Sequence, residues 1–192
     1  MKIKIGVSAR HVHLSLDDFK ILFGSEHKLT KIKDLNQPGE FAAAEMVTIK
    51  TEKGQIENVR IIGPIRPYTQ VEISKTDAYV LGLNPPVRNS GDLIGSEPIT
   101  IMTDKGVINK PYGCIIATRH IHITSDLIKK YKINADKKVK IKLFGEKGGI
   151  IDNVRIRVSD NAKYELHLDL DDANAHLLKN GDEGEVLLNE WI

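Results

Sequence analysis

One cysteine, Cys114, stands in a chain of 192 residues, and a lone thiol excludes an internal disulfide framework. Aromatic residues make up only 5% of the sequence, and no aromatic-basic stripe is present on which bases could stack. Neither sign of charge dominates: 28 Lys and Arg meet 26 Asp and Glu, a formal net charge of +2, with no basic block to leave an electrostatic footprint for nucleic acid. No apolar run approaches the roughly 18 residues of a membrane-spanning helix. The N-terminus has no charged start, apolar stretch and cleavage site of the secretory kind. These absences predict a cytoplasmic protein without nucleic-acid or membrane partners. What is present, 41% hydrophobic and 28% charged residues, is the balance of a globular chain long enough for one domain or two small ones.

Short runs with a two-residue period dominate. They are Lys2-Ile3-Lys4-Ile5, Met46-Val47-Thr48-Ile49, Val59-Arg60-Ile61, Val71-Glu72-Ile73, Val139 to Leu143, Val154 to Val158 and Glu185-Val186-Leu187-Leu188. Such alternation marks half-buried strands, and turns such as Glu52-Lys53-Gly54 and Lys147-Gly148-Gly149 separate them, so small barrels or sandwiches are expected. Helices are expected at three places. Ser15, and Thr124 or Ser125, each offer an N-cap hydroxyl followed by acidic first-turn residues, and a third short helix is expected over Asp171 to Lys179.

The chain repeats itself. Arg10-His11-Val12-His13-Leu14 returns as Arg119-His120-Ile121-His122-Ile123, an offset of 109. Gly54 to Ala78 lies without a gap over Gly149 to Ala173, an offset of 95, with Asn58-Val59-Arg60-Ile61 on Asn153-Val154-Arg155-Ile156 and Asp77-Ala78 on Asp172-Ala173. Two blocks in the same order point to an internal duplication. The first copy then carries about fourteen extra residues, assigned to Leu29 to Phe41 with its Asn36-Gln37-Pro38-Gly39 turn. A boundary near Asn109-Lys110-Pro111-Tyr112-Gly113 divides the chain into a unit over residues 1–108 and a unit over 109–192, the N-terminal strand being able to pack with the second.

Residues two apart on a strand share a face, so His11 and His13 can present imidazole to one ion, as can His120 and His122. Imidazole suits zinc and neighbouring first-row metals. The overlay adds a third donor to each half by placing Glu72 on His167. His11, His13 and Glu72 thus form one set and His120, His122 and His167 the other. Three protein ligands with an open fourth position are the arrangement of a catalytic site. Halves facing each other around a pseudo-twofold axis would bring the two ions into one cleft. An anionic oxygen in one set and a third neutral nitrogen in the other predict inequivalent ions, the His167 ion being the stronger electrophile.

Other features keep two readings at this point. Arg66, in Gly63-Pro64-Ile65-Arg66-Pro67, is either an anion clamp near the metal or a surface arginine in a rigid turn. Asn84-Pro85-Pro86-Val87-Arg88-Asn89-Ser90-Gly91-Asp92-Leu93 either lines a ligand channel, with Arg88 on a nucleotide phosphate and Ser90 on a thioester or phosphoryl oxygen, or simply joins two strands. Arg10 and Arg119 point to the other face from the histidines and are expected to support the barrel. Asp169, Asp171 and Asp172 offer an outer-shell partner for a histidine or a helix cap, with capping by Asp171 or Asp172 the simpler role. His27 is expected to face solvent, His176 either to sit on the last helix near the site or to cap its end, and Cys114, in an apolar run, to be a buried side chain rather than a nucleophile.

At these residues the sequence resembles the PduL-type phosphotransacylases, the phosphate propanoyltransferases. The matching features are Val7 to Leu14, Gly63 to Arg66 with Gln70-Val71-Glu72, Asn84 to Gly91, Ala117 to His122, and Leu166 to Ala175, which together span nearly the whole chain. The resemblance implies a mainly β fold: two small β-barrel domains from an internal duplication, with short capping helices and a two-metal site between them. It implies interconversion of a short-chain acyl-CoA (acetyl-CoA or propionyl-CoA) and inorganic phosphate with acyl phosphate and CoA. It assigns His11, His13 and Glu72 to one divalent ion, His120, His122 and His167 to the other, for which the imidazole donors favour zinc, and Arg66 to phosphate. Ser90 carries over as an active-site neighbour, and Arg88 is the candidate contact for CoA. Direct attack by phosphate is expected, because no nucleophile stands apart from the ligands. The rival readings are a binuclear metallohydrolase of a thioester or phosphoester and a non-catalytic metal-binding scaffold. A homo-oligomer is compatible with each. The histidine motif begins within ten residues of Met1, so an N-terminal microcompartment-targeting segment is not expected and a free cytoplasmic enzyme is.

Overall fold

The computed structural model describes residues 1–187; Leu188, the last residue of the expected run from Glu185, lies outside the described residues. The first half of the chain forms β1 (Lys2–Ser8), β2 (His11–His13), α1 (Leu16–Phe23), β3 (Lys31–Asp34), β4 (Phe41–Lys50), β5 (Gln55–Gly63), β6 (Gln70–Glu72), α2 (Lys75–Leu81), β7 (Val87–Arg88) and β8 (Glu97–Met102). The rest forms β9 (Val107–Ala117), β10 (His120–Ile123), α3 (Ser125–Tyr131), β11 (Val139–Leu143), β12 (Gly149–Val158), β13 (Glu165–Asp169), α4 (Leu170–Ala175) and β14 (Glu183–Leu187). The fold is mainly β, with two closed six-stranded barrels and four short helices. None of the described helices is long and apolar enough to cross a membrane.

One compact unit consists of Ala9–Leu35 and Gly39–Ala117. Its ring runs β4-β5-β2-β6-β9-β8 and closes where β8 pairs with β4, while β3 extends the sheet beside β4 and β7 beside β9. Val12, Val47, Ile49, Ile61, Val71, Ile101 and Cys114 fill its core with Phe19 and Leu22 of α1. The boundary expected at 108/109 falls inside β9. That strand is continuous because Ile108, Cys114 and Ile115 are all buried and its backbone pairs with both β8 and β6.

Among the described residues, the other unit consists of Met1–Ser8, Asn36–Pro38 and residues 118–187. Its ring is β1-β13-β10-β12-β11-β14, around Ile3, Ile5, Ile121, Ile123, Ile141, Leu143 and Leu166. The N-terminal strand β1 closes it, lying parallel to β13 and antiparallel to β14. β9 has the same two relations in its own barrel, parallel to β6 and antiparallel to β8. Each barrel therefore ends on a strand of the same type, but one of the two is supplied by the start of the chain.

The repeat extends to backbone irregularities. Asn58 and Asn153 both take left-handed conformations, φ 57 and φ 60, beside register shifts in β4·β5 and β11·β12. Asparagine tolerates that region better than most residues, which suits it to such bulges.

Ser15 and Thr124 cap α1 and α3 through their hydroxyls, as expected. The helix α2 was not anticipated; Ser74 and Asp77 start it with a reciprocal capping box. The last helix is shorter than 171–179 and is capped by Asp169 rather than by Asp171 or Asp172. It stops before His176 because Leu177 turns left-handed, φ 54, out of the helical region.

Two hairpin tips of the 9–117 barrel press on helix ends. The Thr51 hydroxyl donates to the Leu81 carbonyl at 2.6 Å and that of Thr103 to the Leu22 carbonyl at 2.5 Å, supplying donors to carbonyls at helix C-terminal ends. The neighbouring Gly54 and Gly106 let the backbones approach: a Cβ on Gly106 would lie 2.1 Å from the Ile21 carbonyl oxygen, and one on Gly54 2.2 Å from that of Val80. Gly106→Ala is therefore expected to lower stability by about 1–3 kcal/mol through crowding. Urea unfolding reads this as a lower midpoint at unchanged slope; an unshifted midpoint would show that the tip yields freely.

Candidate metal centres

Strand register assembles both clusters. On antiparallel β2 and β6, His11 lies opposite Glu72 and His13 opposite Gln70. On antiparallel β10 and β13, His120 lies opposite His167 and His122 opposite Glu165. Opposed residues hold their Cβ atoms about 4.5–5.5 Å apart. Each strand pair thus gathers four polar side chains on one face, while Val12 with Val71, and Ile121 with Leu166, enter the core on the other.

Within each group of four, three residues can converge on an ion. The ligand atoms of His11, His13 and Glu72 lie within 4.8 Å of one another, and so do those of His120, His122 and His167. His11 and His13 are 6% and 2% exposed, so their rings are already desolvated.

The donor chemistry fits a divalent cation. Nδ1 of His11 is 2.8 Å from the Ala9 carbonyl, Nδ1 of His13 3.0 Å from that of Ile62, and Nδ1 of His120 2.8 Å from that of Thr118. A carbonyl only accepts, so each Nδ1 carries the ring proton and Nε2 holds the lone pair. Backbone bonds of this kind fix the tautomer and ring orientation of metal-binding histidines. His120 and His122 set their Nε2 atoms 3.0 Å apart, and the rings of His122 and His167 meet at 4.5 Å between centroids. Burial, with His167, His120 and Arg157 nearby, pushes the pKa of His122 down to about 2 and keeps that ring neutral.

Two further side chains complete these faces, and both escaped the sequence reading. Gln70 is fully buried; it donates to Glu72 Oε1 at 2.5 Å and to the Ser90 hydroxyl at 2.9 Å, and accepts from the Gly91 amide at 2.7 Å. Glu165 accepts from Asn36 at 2.6 Å and Gln37 at 3.3 Å, and lies 2.8 Å from His167 Nε2. Burial raises the pKa of the Glu165 carboxyl, but hydrogen bonds from His167, Asn36 and Gln37 outweigh it and leave the pKa lowered. The overlay carried a signal for both: Gln70 falls on Glu165 at the offset of 95, two residues before the third ligand candidate and hence on its face.

Arg66 stands near the first cluster. One NH group donates to the Ser90 hydroxyl at 3.1 Å and another to Glu40 at 2.9 Å, in a side chain 15% exposed. A path of hydrogen bonds thus runs from Arg66 through Ser90 and Gln70 to Glu72. Glu40 is a partner that the sequence did not announce. The structure does not bring Arg88 into this group: it lies on β7 and pairs with Asp92 at 3.3 Å on an exposed surface.

The remaining residues serve the scaffold. Arg10 pairs with Asp77, and Arg119 grips Asp172 with two bonds, so in each copy the residue before the His-x-His strand holds the helix after the third ligand candidate. His176 caps α4 and its Nδ1 lies 2.9 Å from the Lys147 carbonyl. His27 faces solvent, with its Nε2 bonded to Glu45 at 2.9 Å. Cys114 is buried, and burial with Glu97 and Asp77 nearby pushes its pKa up to about 12, so it holds little thiolate.

Comparison with known proteins gives the family context. A family model described as phosphate propanoyltransferase matches residues 4–179. The phosphate propanoyltransferase of Thermotoga maritima is 49% identical over 181 residues, 94% of this chain and 86% of that protein. That of Priestia megaterium is 50% identical over 188 residues, 98% and 87% respectively. That of Clostridioides difficile is 44% identical over 185 residues, 96% and 88%.

The two three-residue groups set an expectation for metal content. Folded protein supplied with a divalent metal should retain close to two ions per chain. Glu72→Gln should weaken one and His120→Ala the other, read as site-by-site occupancy by anomalous scattering. One ion or none in the folded wild type, or both substitutions emptying the same position, would overturn the assignment of one group to each ion.

Proposed function

Because the chain belongs to the phosphate propanoyltransferase family, we propose that it moves a short acyl group, acetyl or propanoyl, between coenzyme A and inorganic phosphate. Acyl-CoA and phosphate are interconverted with acyl phosphate and CoA. The observation that carries this reading into the site is the hydrogen-bonded path from Arg66 through Ser90 and Gln70 to Glu72. It ties a guanidinium, the side chain best shaped for phosphate, to a candidate metal ligand.

The residues present fit two divalent ions, zinc by the preference of imidazole donors: His11, His13 and Glu72 would hold one, and His120, His122 and His167 the other. Bound there, the ions would supply Lewis-acid stabilisation of negative charge on oxygen and sulfur. Arg66 has five N–H donors and spends two on Ser90 and Glu40, which leaves donors for phosphate while Glu40 holds the fork in orientation. Holding phosphate at Arg66 and Ser90 sets one of its oxygens against the thioester carbonyl carbon. The C–O bond forms first, giving a tetrahedral oxyanion; the C–S bond then breaks, its electron pair leaves on the CoA sulfur, and the proton given up by hydrogen phosphate ends on that sulfur. No acyl-enzyme is needed, and Cys114, buried with its thiol pKa raised, does not supply a nucleophile. Arg88 is the proposed contact for the phosphates of CoA, since its exposed pair with Asp92 is weak enough to exchange for a phosphate.

The test follows CoA release from acetyl-CoA and propionyl-CoA with and without phosphate, after metal loading. Release should require phosphate and yield acyl phosphate. Release without phosphate, giving the free acid, would instead mark a thioester hydrolase. Arg66→Ala should keep its metals and lose phosphate-dependent turnover by on the order of 100-fold. Arg66→Lys should recover only part, because an ammonium cannot reproduce the bidentate fork. Wild-type phosphate kinetics in both variants would reduce Arg66 to a structural role.

A further inference from the structure

The duplication moves a carboxylate. At the offset of 95, Gln70 falls on Glu165 and Glu72 on His167. One face therefore reads His, His, carboxylate, amide, and the other His, His, imidazole, carboxylate. We propose that Glu165 is a positioning residue of the His120–His122–His167 cluster, a carboxylate that orients His167 and supplies there the negative charge that Glu72 supplies in the other cluster. This rests on the reading of both clusters as metal centres.

Three observations carry it. First, Glu165 Oε2 lies 2.8 Å from His167 Nε2, while Glu165 stands outside the three residues whose ligand atoms converge within 4.8 Å. With Nε2 bonded to Glu165, Nδ1 is the nitrogen that His167 keeps for an ion, which is the disposition of a carboxylate–histidine–metal arrangement. Second, its side chain is 5% exposed, and a buried carboxylate is costly without a positive counterpart. Asn36 and Gln37 are neutral donors, so a positive counterpart has to come through His167, and an ion held by that imidazole would supply it.

Third, the surroundings are shaped for this pair. Asn36 and Gln37 belong to the stretch that the first copy has in excess, and Asn36–Pro38 join the compact unit of Glu165 although their neighbours in sequence belong to the other. Gln37 is itself held by two bonds to the Lys163 backbone. On β1, Gly6 lies opposite His167, and a Cβ there would come within 3.0 Å of Glu165 Cδ and 3.1 Å of His167 Cδ2. The residue matching Gly6 at the offset of 109 is Ile115, which lies opposite Glu72, where the pair to be fitted is Gln70 with Glu72 and has no imidazole ring. With Glu165 counted behind His167, each centre has one carboxylate in its surroundings, although only Glu72 is among the three converging donors, so the difference in charge expected from Glu72 and His167 alone is lessened.

The test compares wild type with Glu165→Gln, which keeps the shape and removes the charge. Both proteins are loaded with zinc and titrated with a chromophoric chelator, with occupancy at each position read by anomalous scattering. Glu165→Gln should release the His120–His122–His167 ion on the order of 10–100-fold more readily, with the other ion unmoved. Loaded with cobalt(II), it should show a changed ligand-field spectrum from that position alone. Asn36→Ala, which keeps the charge and loosens its hold, should weaken the same ion by less, and it decides the matter if Glu165→Gln does not fold. Unchanged affinity in the folded variants overturns the role of Glu165. A wild type that binds no ion at that position overturns the metal reading itself, and with it this proposal.

Discussion

Both candidate centres depend on one constraint, the register between each His-x-His strand and the strand that follows it in space. Val12 with Val71, and Ile121 with Leu166, must face the core together. Because the side-chain period is two, that demand aims His11, His13, Glu72 and Gln70 at one spot, and His120, His122, His167 and Glu165 at another. A slip of one residue would turn the imidazoles into the core and the valines and isoleucines out of it, so the hydrophobic effect enforces the polar geometry. The strand ends are held as well. Arg10 and Arg119 precede the histidine strands and clasp Asp77 and Asp172 on α2 and α4, which begin just beyond the third donor. Charge-assisted bonds between those ends limit how far either strand can move against the other.

Much of this was legible in the sequence because local periodicity and the repeat carry the same information. Alternation showed the strands, the two offsets aligned the histidines, and the overlay put Glu72 and His167 at matching places, where the structure has them opposite His11 and His120. The overlay also contained Gln70 and Glu165, but a glutamine or glutamate in an alternating strand looks like a solvent-facing residue until its burial is known. The capping box of Ser74 and Asp77 was there to read, yet α2 is only seven residues long and follows a strand without a turn signal. Arg66 with Glu40, and Glu165 with Asn36, join residues far apart in the chain, and no local pattern announces such pairs. For β1 the sequence allowed packing with the second unit, but alternation identifies a strand and not the edge it seals, so β13 and β14 were not named as its neighbours.

The comparison of the two barrels shows what the backbone constrains and what it leaves open. The ring order, the Asn58 and Asn153 bulges, the arginine clasps and the backbone carbonyls on His11 and His120 are shared, because each satisfies a backbone or packing demand that both copies have. The side chains on the polar face are not under that demand. There a carboxylate stands opposite His11 in one copy and opposite His122 in the other. What distinguishes the position of Glu165 from that of its isosteric counterpart Gln70 is its surroundings: Asn36 and Gln37 give the carboxylate donors from outside the duplicated pattern, and Gly6 leaves room beside Glu165 and the His167 ring. A carboxylate buried without those donors would have been pushed toward its neutral, protonated form by desolvation. Substitution at one residue of such a face is therefore tied to its neighbours across the strand pair, and the set of four, together with whatever fills the space behind it, is the unit in which the site can vary.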